Sequence, residues 1–305
     1  MRKILTILSF SVIVLTLSAQ QLFVGTYNIR NNHNNDAREG NGWPQRVSRI
    51  CGQINFEQPD VFGTQEGHFD QLQDMLALLP GYDYIGVARD DGKKKGEHSA
   101  IFYRTDRLKL KSQGNFWLSE TPEKPSLGWD AACKRICTWG EFKDRKSGKR
   151  IYYFNLHMDH VGVVARREAA KLVVQRIREI AGDKPVVLTG DFNVDQTNEI
   201  YGIFTGSGLL FDSFEITQQR FAENGTFNVF SPDLFTPSRI DHVFVTRHFA
   251  VEHYAVMTNC YWGAEAIDAE KIKSSTAPDE ISFERHSRHL PSDHYPVWVK
   301  ARLHK

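Results

Sequence analysis

Lys184-Pro185-Val186-Val187-Leu188-Thr189-Gly190-Asp191-Phe192-Asn193 is the stretch on which the reading of this chain turns. Val186 to Thr189 is an apolar, β-branched run of strand length. Gly190 permits a sharp turn. Asp191 and Asn193 follow two residues apart, just past the expected carboxyl end of the strand. In open α/β folds ligands collect at that edge. An aspartate there offers a base or a metal ligand, and an asparagine offers an amide for developing negative charge. The same residues also read as an Asx turn that only closes a strand.

Around this stretch the periodicity alternates between helix and strand. Val163 to Ala181 places Ala169, Leu172, Val173, Ile177 and Ile180 on one face, the longest expected helix. Trp43 to Asn55, Phe69 to Leu79 and Glu199 to Phe204 read as shorter helices, with Pro44 in a first turn and Pro80-Gly81 as a stop. Strands are expected at Leu22–Asn28, Val61–Gln65, Tyr82–Ala88, Ser99–Tyr103, Leu108–Trp117, Cys137–Lys143, Arg150–Leu156, Arg239–Thr246, His248–Met257 and Val297–Leu303. Residues 31–41 and 262–290 read as loops. Helix-linked strands mixed with hairpins fit an α/β chain of two packed sheets with outer helices.

The chain has 305 residues, 41% hydrophobic and 25% charged, enough for a sizeable core. Arg2 and Lys3 followed by the apolar run Ile4–Leu17 and the small-residue site Ser18-Ala19-Gln20 read as a secretion signal. The expected arrangement is a signal peptide over 1–19 and one catalytic domain over 20–305, exported to a periplasmic or extracellular location. Without Arg2 and Lys3, 36 basic residues face 37 acidic ones, so this is not a basic coater of nucleic acid. No later stretch reads as a membrane span. The four cysteines lack Cys-x-x-Cys spacing and read as buried or incidental. The Lys93-Lys94-Lys95 run reads as a solvated loop, and Phe116, Trp117, Trp129 and Trp139 as core.

Polar groups stand at several strand ends: Asn28, Glu66, His157 with Asp159 and His160, Asp191 with Asn193, Asp293 with His294, and Asp241 near a strand's start. Each alone has a structural reading as a cap, a surface carboxylate or a hydrogen-bonded core histidine. Together they form a carboxylate, amide and imidazole set suited to a hard divalent cation and a phosphoryl group. A glycosidase using two carboxylates would not call for the asparagine and histidine pairs.

Six short stretches in order, Thr26-Tyr27-Asn28-Ile29-Arg30, Thr64-Gln65-Glu66, Asn155-Leu156-His157-Met158-Asp159-His160, Gly190-Asp191-Phe192-Asn193, Arg239-Ile240-Asp241-His242 and Ser292-Asp293-His294-Tyr295-Pro296-Val297, resemble the endonuclease/exonuclease/phosphatase superfamily of metal-dependent phosphoesterases. The resemblance implies a four-layered α/β/β/α sandwich, two central mixed β-sheets flanked by helices, with the site at one sheet edge. It implies Glu66 as the principal ligand of Mg2+ (Mn2+ would also serve), with Asn28 beside it and Asp293 joining through the metal or its water. It further implies Asp191 on the attacking water, Asn193 on a phosphate oxygen, His294 on the scissile phosphate oriented by Asp241, and His157 stabilising charge. Arg30 stands where DNA-repair members carry an acidic residue, which speaks against an abasic-site endonuclease and against a second metal there.

The expected activity is hydrolysis of a phosphodiester in a nucleic acid, lipid head group or sugar or inositol phosphate. A phosphomonoesterase of the same fold and a non-catalytic domain retaining it are the alternatives. Arg30, Asp159, His160, Arg135 and Arg166 are the candidate substrate contacts. No oligomeric state follows from the sequence. Pro237-Ser238-Arg239-Ile240-Asp241 lacks the Trp-Cys-Asp-Arg stretch of phosphoinositide 5-phosphatases. No clear apolar hairpin of the kind a sphingomyelinase would use is visible.

Overall fold

Alternation along the first strand sets the layers. The computed structural model describes residues 21–268 and 270–304, so the signal-peptide expectation lies outside the described residues. The elements are β1 (Gln21–Asn28), α1 (Asn34–Arg38), α2 (Trp43–Glu57), β2 (Val61–Gln65), α3 (Phe69–Leu78), β3 (Tyr82–Ile85), β4 (Ile101–Arg104), β5 (Leu108–Trp117), β6 (Ile136–Asp144) and β7 (Arg150–His157). They continue with α4 (Val163–Ala181), β8 (Val186–Asp191), α5 (Glu199–Thr205), β9 (Phe211–Asp212), α6 (Ser213–Ile216), β10 (Gln219–Phe221), β11 (Asp241–Val245), β12 (Phe249–Val256), β13 (Tyr261–Ala266), β14 (His286–His289) and β15 (Val297–Leu303).

One sheet of seven strands runs β10-β12-β15-β1-β2-β4-β3, and one of six runs β5-β6-β7-β8-β11-β9. At the centre of each lies a parallel pair, β1 with β2 and β7 with β8. Helices α2 and α4 are the crossovers that parallel pairing requires.

Leu22 and Val24 of β1 face Ile151 and Tyr153 of β7 and Val243 of β11 in a core between the sheets. The opposite face of β1 presents Tyr27, which packs with Ile50 and Ile54 of α2 and Met75 of α3. On the second sheet, Phe154, Leu156 and Leu188 pack under Val173 and Ile177 of α4 and Phe204 of α5. The result is the expected α/β/β/α order.

Period-two alternation carries the inter-sheet face onward to polar residues. After Leu22 and Val24 come Thr26 and Asn28; after Tyr153 come Asn155 and His157; after Val187 come Thr189 and Asp191. All six are buried. Under the site a polar layer joins the sheets. Gln65 Nε2 donates to Asn155 Oδ1 at 2.7 Å and to Thr26 Oγ1 at 2.9 Å, and Asn155 Nδ2 donates to the carbonyls of Thr64 and Ala100, both at 2.9 Å. Gly63 makes room for it, since a Cβ there would stand 2.1 Å from Asn155 Oδ1.

The structure departs from the sequence reading in several places. Gly190 does not form the turn. It lies inside β8, where a Cβ would stand 2.2 Å from the Leu156 carbonyl oxygen, and the chain turns instead at Asn193, with φ 51°. Residues 31–41 contain α1, capped by the His33 side chain. Residues 262–290 are not a plain loop: β13 and β14 pair as a hairpin bearing Trp262, 60% exposed. The short elements β9, α6 and β10 carry too few residues for a period to show. All four cysteines are free; Cys51 and Cys137 are buried and Cys260 is exposed. Among the described residues, no helix is long and apolar enough to cross a membrane.

Candidate active site

The polar ends of the parallel strands meet in a cleft of about 360 Å³ lined by Arg30, Glu66, Arg89, Glu97, His157, Asp191 and His294, among others. Asn28 sits beneath it. Its Nδ2 donates to Glu66 Oε1 and Asp191 Oδ2, both at 3.1 Å, and its Oδ1 accepts the Arg30 amide at 3.0 Å. One buried amide therefore ties the end of β1 to the ends of β2 and β8.

Asp191 is the meeting point. Two histidine Nε2 atoms face its Oδ2, from His157 at 3.4 Å and from His294 at 3.7 Å. Its Oδ1 accepts the Asn193 amide at 2.9 Å. Burial, with Asp241 adding to it, pushes the Asp191 carboxyl up to about 7. Antiparallel pairing of β11 with β8 sets Asp241 opposite Asp191. Asp241 Oδ2 accepts from His294 Nδ1 at 2.8 Å. Burial works against a charged His294, but the neighbouring carboxylates of Asp241, Asp191 and Asp293 outweigh it and raise the group to about 10. Burial and the charges of Arg135 and Arg89 hold His157 well below the usual histidine range. The two histidines thus begin in opposite protonation states.

Glu66 and Asp293 face each other through Arg30. Glu66 Oε2 accepts the Asn31 amide at 3.1 Å. Arg30 Nη1 stands 3.5 Å from Asp293 Oδ2 and 3.9 Å from Glu66 Oε2, while its Nε is held by Asp36 at 2.8 Å. Burial and the nearby Glu66 raise the Asp293 carboxyl. Two crowded, buried carboxylates with hard oxygen donors suit Mg2+ or Mn2+. Asp191, Asp241 and His294 also bring ligand atoms within 4.8 Å of one another. That trio already spends His294 Nδ1 on Asp241, so Glu66 and Asp293 fit a cation better. Arg30, Glu66 and Asn193 all take positive φ, 56°, 67° and 51°. For residues other than glycine this conformation is uncommon and clusters at functional sites.

The structure brings together Asn28, Arg30, Glu66, Arg135, His157, His160, Asp191, Asn193, Asp241, Asp293 and His294, Asn28 and Asp241 supporting the cleft from behind its wall. Asn193 lines the cleft, but its side-chain amide donates to the Met158 carbonyl at 2.9 Å. Asp159 and Arg166, read as candidate substrate contacts, are not among the residues that line it. Asp159 accepts the amides of Gly162 at 2.7 Å and Val161 at 2.9 Å, and Arg166 donates to the Asp159 carbonyl at 2.9 Å. Both organise the loop after β7. The sequence reading missed Arg89, Glu97 and Phe227, which lie on irregular segments with no period to mark them. Lys93–Lys95 are exposed, as expected of a solvated loop.

Comparison with known proteins bears on this geometry. The sequence model described as "Endonuclease/Exonuclease/phosphatase family" matches residues 25–294. A solved structure of a protein of that family from Bacteroides thetaiotaomicron is 48% identical, with TM-score 0.86, covering 94% of this chain and 99% of that one. A mannosyl-6-phosphatase from Bacteroides thetaiotaomicron VPI-5482 is also 48% identical, with TM-score 0.83, covering 92% and 99%. An uncharacterised mimivirus protein, L388, is 26% identical over 257 residues, covering 79% of this chain and 92% of that protein.

Proposed function

Because the chain belongs to the endonuclease/exonuclease/phosphatase family, we propose that it is a divalent-metal-dependent phosphomonoesterase acting on a sugar phosphate of the mannosyl 6-phosphate type. The observation that carries this reading is the 48% identity to the mannosyl-6-phosphatase over nearly its whole length. The cleft supports it as well. At about 360 Å³ it suits a terminal group better than a polymer passing through. Its lining carries Arg30, Arg89, Arg135 and His294, a cation set suited to a phosphate dianion.

In this reading Glu66 and Asp293 hold Mg2+ or Mn2+ with Asn28 beside them, and the ion, when bound, neutralises charge on the phosphoryl oxygens. Asp191 takes the proton of the attacking water, a role that a carboxyl near 7 suits at neutral pH. His294, charged and steered by Asp241, gives its Nε2 proton to the departing sugar oxygen, so the alcohol leaves neutral as Asp191 takes up the proton of the water. Neutral His157 donates to a phosphoryl oxygen, and Arg30 keeps the two metal-site carboxylates from repelling each other apart. The basic start and apolar run of residues 2–17 support export, which would put the activity outside the cytoplasm.

The test is phosphate release from mannose 6-phosphate with Mg2+, with Mn2+ and with EDTA, beside bis-p-nitrophenyl phosphate as a diester. Metal-dependent release from the monoester, and Asp191→Asn slower by about 10²–10⁴, is expected. Faster turnover of the diester would overturn the monoesterase reading.

A further inference from the structure

Besides its carboxylates, the cleft is lined by two unlike kinds of side chain. Phe227, 39% exposed, lies over His294 with ring centroids 4.9 Å apart, and its backbone bridges to His294. Behind the lining, Asp159, fixed by four backbone amides, binds Arg135 Nε at 3.3 Å. Arg135 Nη2 in turn lies 2.9 Å from His160 Nδ1. A guanidinium only donates, so His160 Nδ1 must accept and its proton must sit on Nε2. Arg135 is 4% exposed and His160 is exposed. Buried side chains thus lock an exposed histidine as a donor. Phe227, Arg135 and His160 all line the cleft that holds Asp191.

An aromatic face and fixed donors that line one cleft match a pyranose, whose C–H groups meet the negative ring face and whose hydroxyls form a polar edge. We infer that Phe227 and the Arg135–His160 pair form the subsite for the sugar that carries the phosphate, Phe227 under its C–H face and His160 on its hydroxyl edge. This rests on the sugar-phosphatase reading. Asp159 is then a positioning residue, and Phe227 and His160 decide which alcohol is accepted.

The experiment compares mannose 6-phosphate with butyl phosphate, which has neither ring nor hydroxyls, by phosphate release with Mg2+ and by calorimetric binding with Ca2+. Wild type, Phe227→Leu, Phe227→Trp, His160→Ala and His160→Gln are used. The ratio of kcat/KM for the hexose to that for butyl phosphate should fall about tenfold in Phe227→Leu and His160→Ala, the worth of one contact each. Phe227→Trp and His160→Gln should restore most of it. A ratio near one in wild type, or equal losses on both substrates, overturns the subsite. If wild type releases phosphate from neither monoester, the phosphatase reading fails. The binding ratio then decides the subsite by itself, and equal affinity for the two ligands overturns it. Stronger binding of a nucleoside 5′-monophosphate than of mannose 6-phosphate would overturn the sugar assignment.

Discussion

Arg46→Met should melt roughly 6–12 °C below the wild type. Arg46 is 0% exposed and sits in α2 with its guanidinium spread over backbone carbonyls. Its Nη1 donates to Ile29 at 2.7 Å and Pro291 at 2.9 Å, its Nε donates to Asn41 at 2.7 Å, and its Nη2 reaches Arg30 at 3.2 Å. The first and last of these acceptors belong to the segment that carries Arg30 and the Asn31 amide bound to Glu66. Pro291 begins the turn that carries Asp293 and His294. One side chain therefore joins two stretches of the site far apart in sequence, and its bond to Pro291 alone spans 245 positions. The three short bonds at about 1 kcal/mol each give about 3 kcal/mol. At about 2–4 °C per kcal/mol for a chain of this size, that yields the stated shift. Arg46→Lys should fall between the two, because an ammonium offers three donors on one atom and cannot span the same carbonyls. The assay is thermal unfolding by circular dichroism, with phosphate release measured on the folded fraction. An Arg46→Met protein that melts within 2 °C of wild type would refute the claim that this guanidinium clamps the site.

Gly63→Ala should destabilise by about 1–3 kcal/mol in urea titration, because its Cβ would displace Asn155 from the layer joining the sheets; an unchanged midpoint would show that Asn155 moves freely. Metal-free protein should lose stability as pH rises from about 6.5 to about 10. His294 keeps its proton there while the unfolded chain has lost it, so the contribution is complete below the unfolded value and disappears through the folded one. Asp241→Asn should flatten that slope, read from urea midpoints across the range. Mg2+ or Mn2+ should raise the melting temperature of wild type, and Glu66→Gln with Asp293→Asn should abolish the rise; a rise that survives would place the cation elsewhere. Cell fractionation should find the protein outside the cytoplasm, and Arg2→Glu with Lys3→Glu should retain more of it inside.

Helices α2 to α5 and most strands were legible because burial on one side leaves a period. In α4 the stripe of Ala169, Val173 and Ile177 is all buried, and β5, α4 and β15 have the bounds that the pattern implies. The hairpin of β13 and β14 was not legible. Neither of its strands packs on a sheet, so no alternation marks it. The same reason hid Phe227, Arg89 and Glu97, which stand on irregular chain.

By itself the sequence determined which groups gather at the strand ends. Alternation that puts Val187 in the core must put Asp191 on the same face, at the end where β7 and β8 both stop. It could not determine what each group does there. Asp159 and His160 are adjacent in sequence, yet one is spent on backbone amides and the other faces the cleft. Gly190 was expected to turn, yet it is needed where β8 passes close to the Leu156 carbonyl. Asp191 has a raised carboxyl because the packed sheets bury it and Asp241 arrives opposite it from fifty residues away. Those are contacts between distant segments, and only the packing of the two sheets decides them.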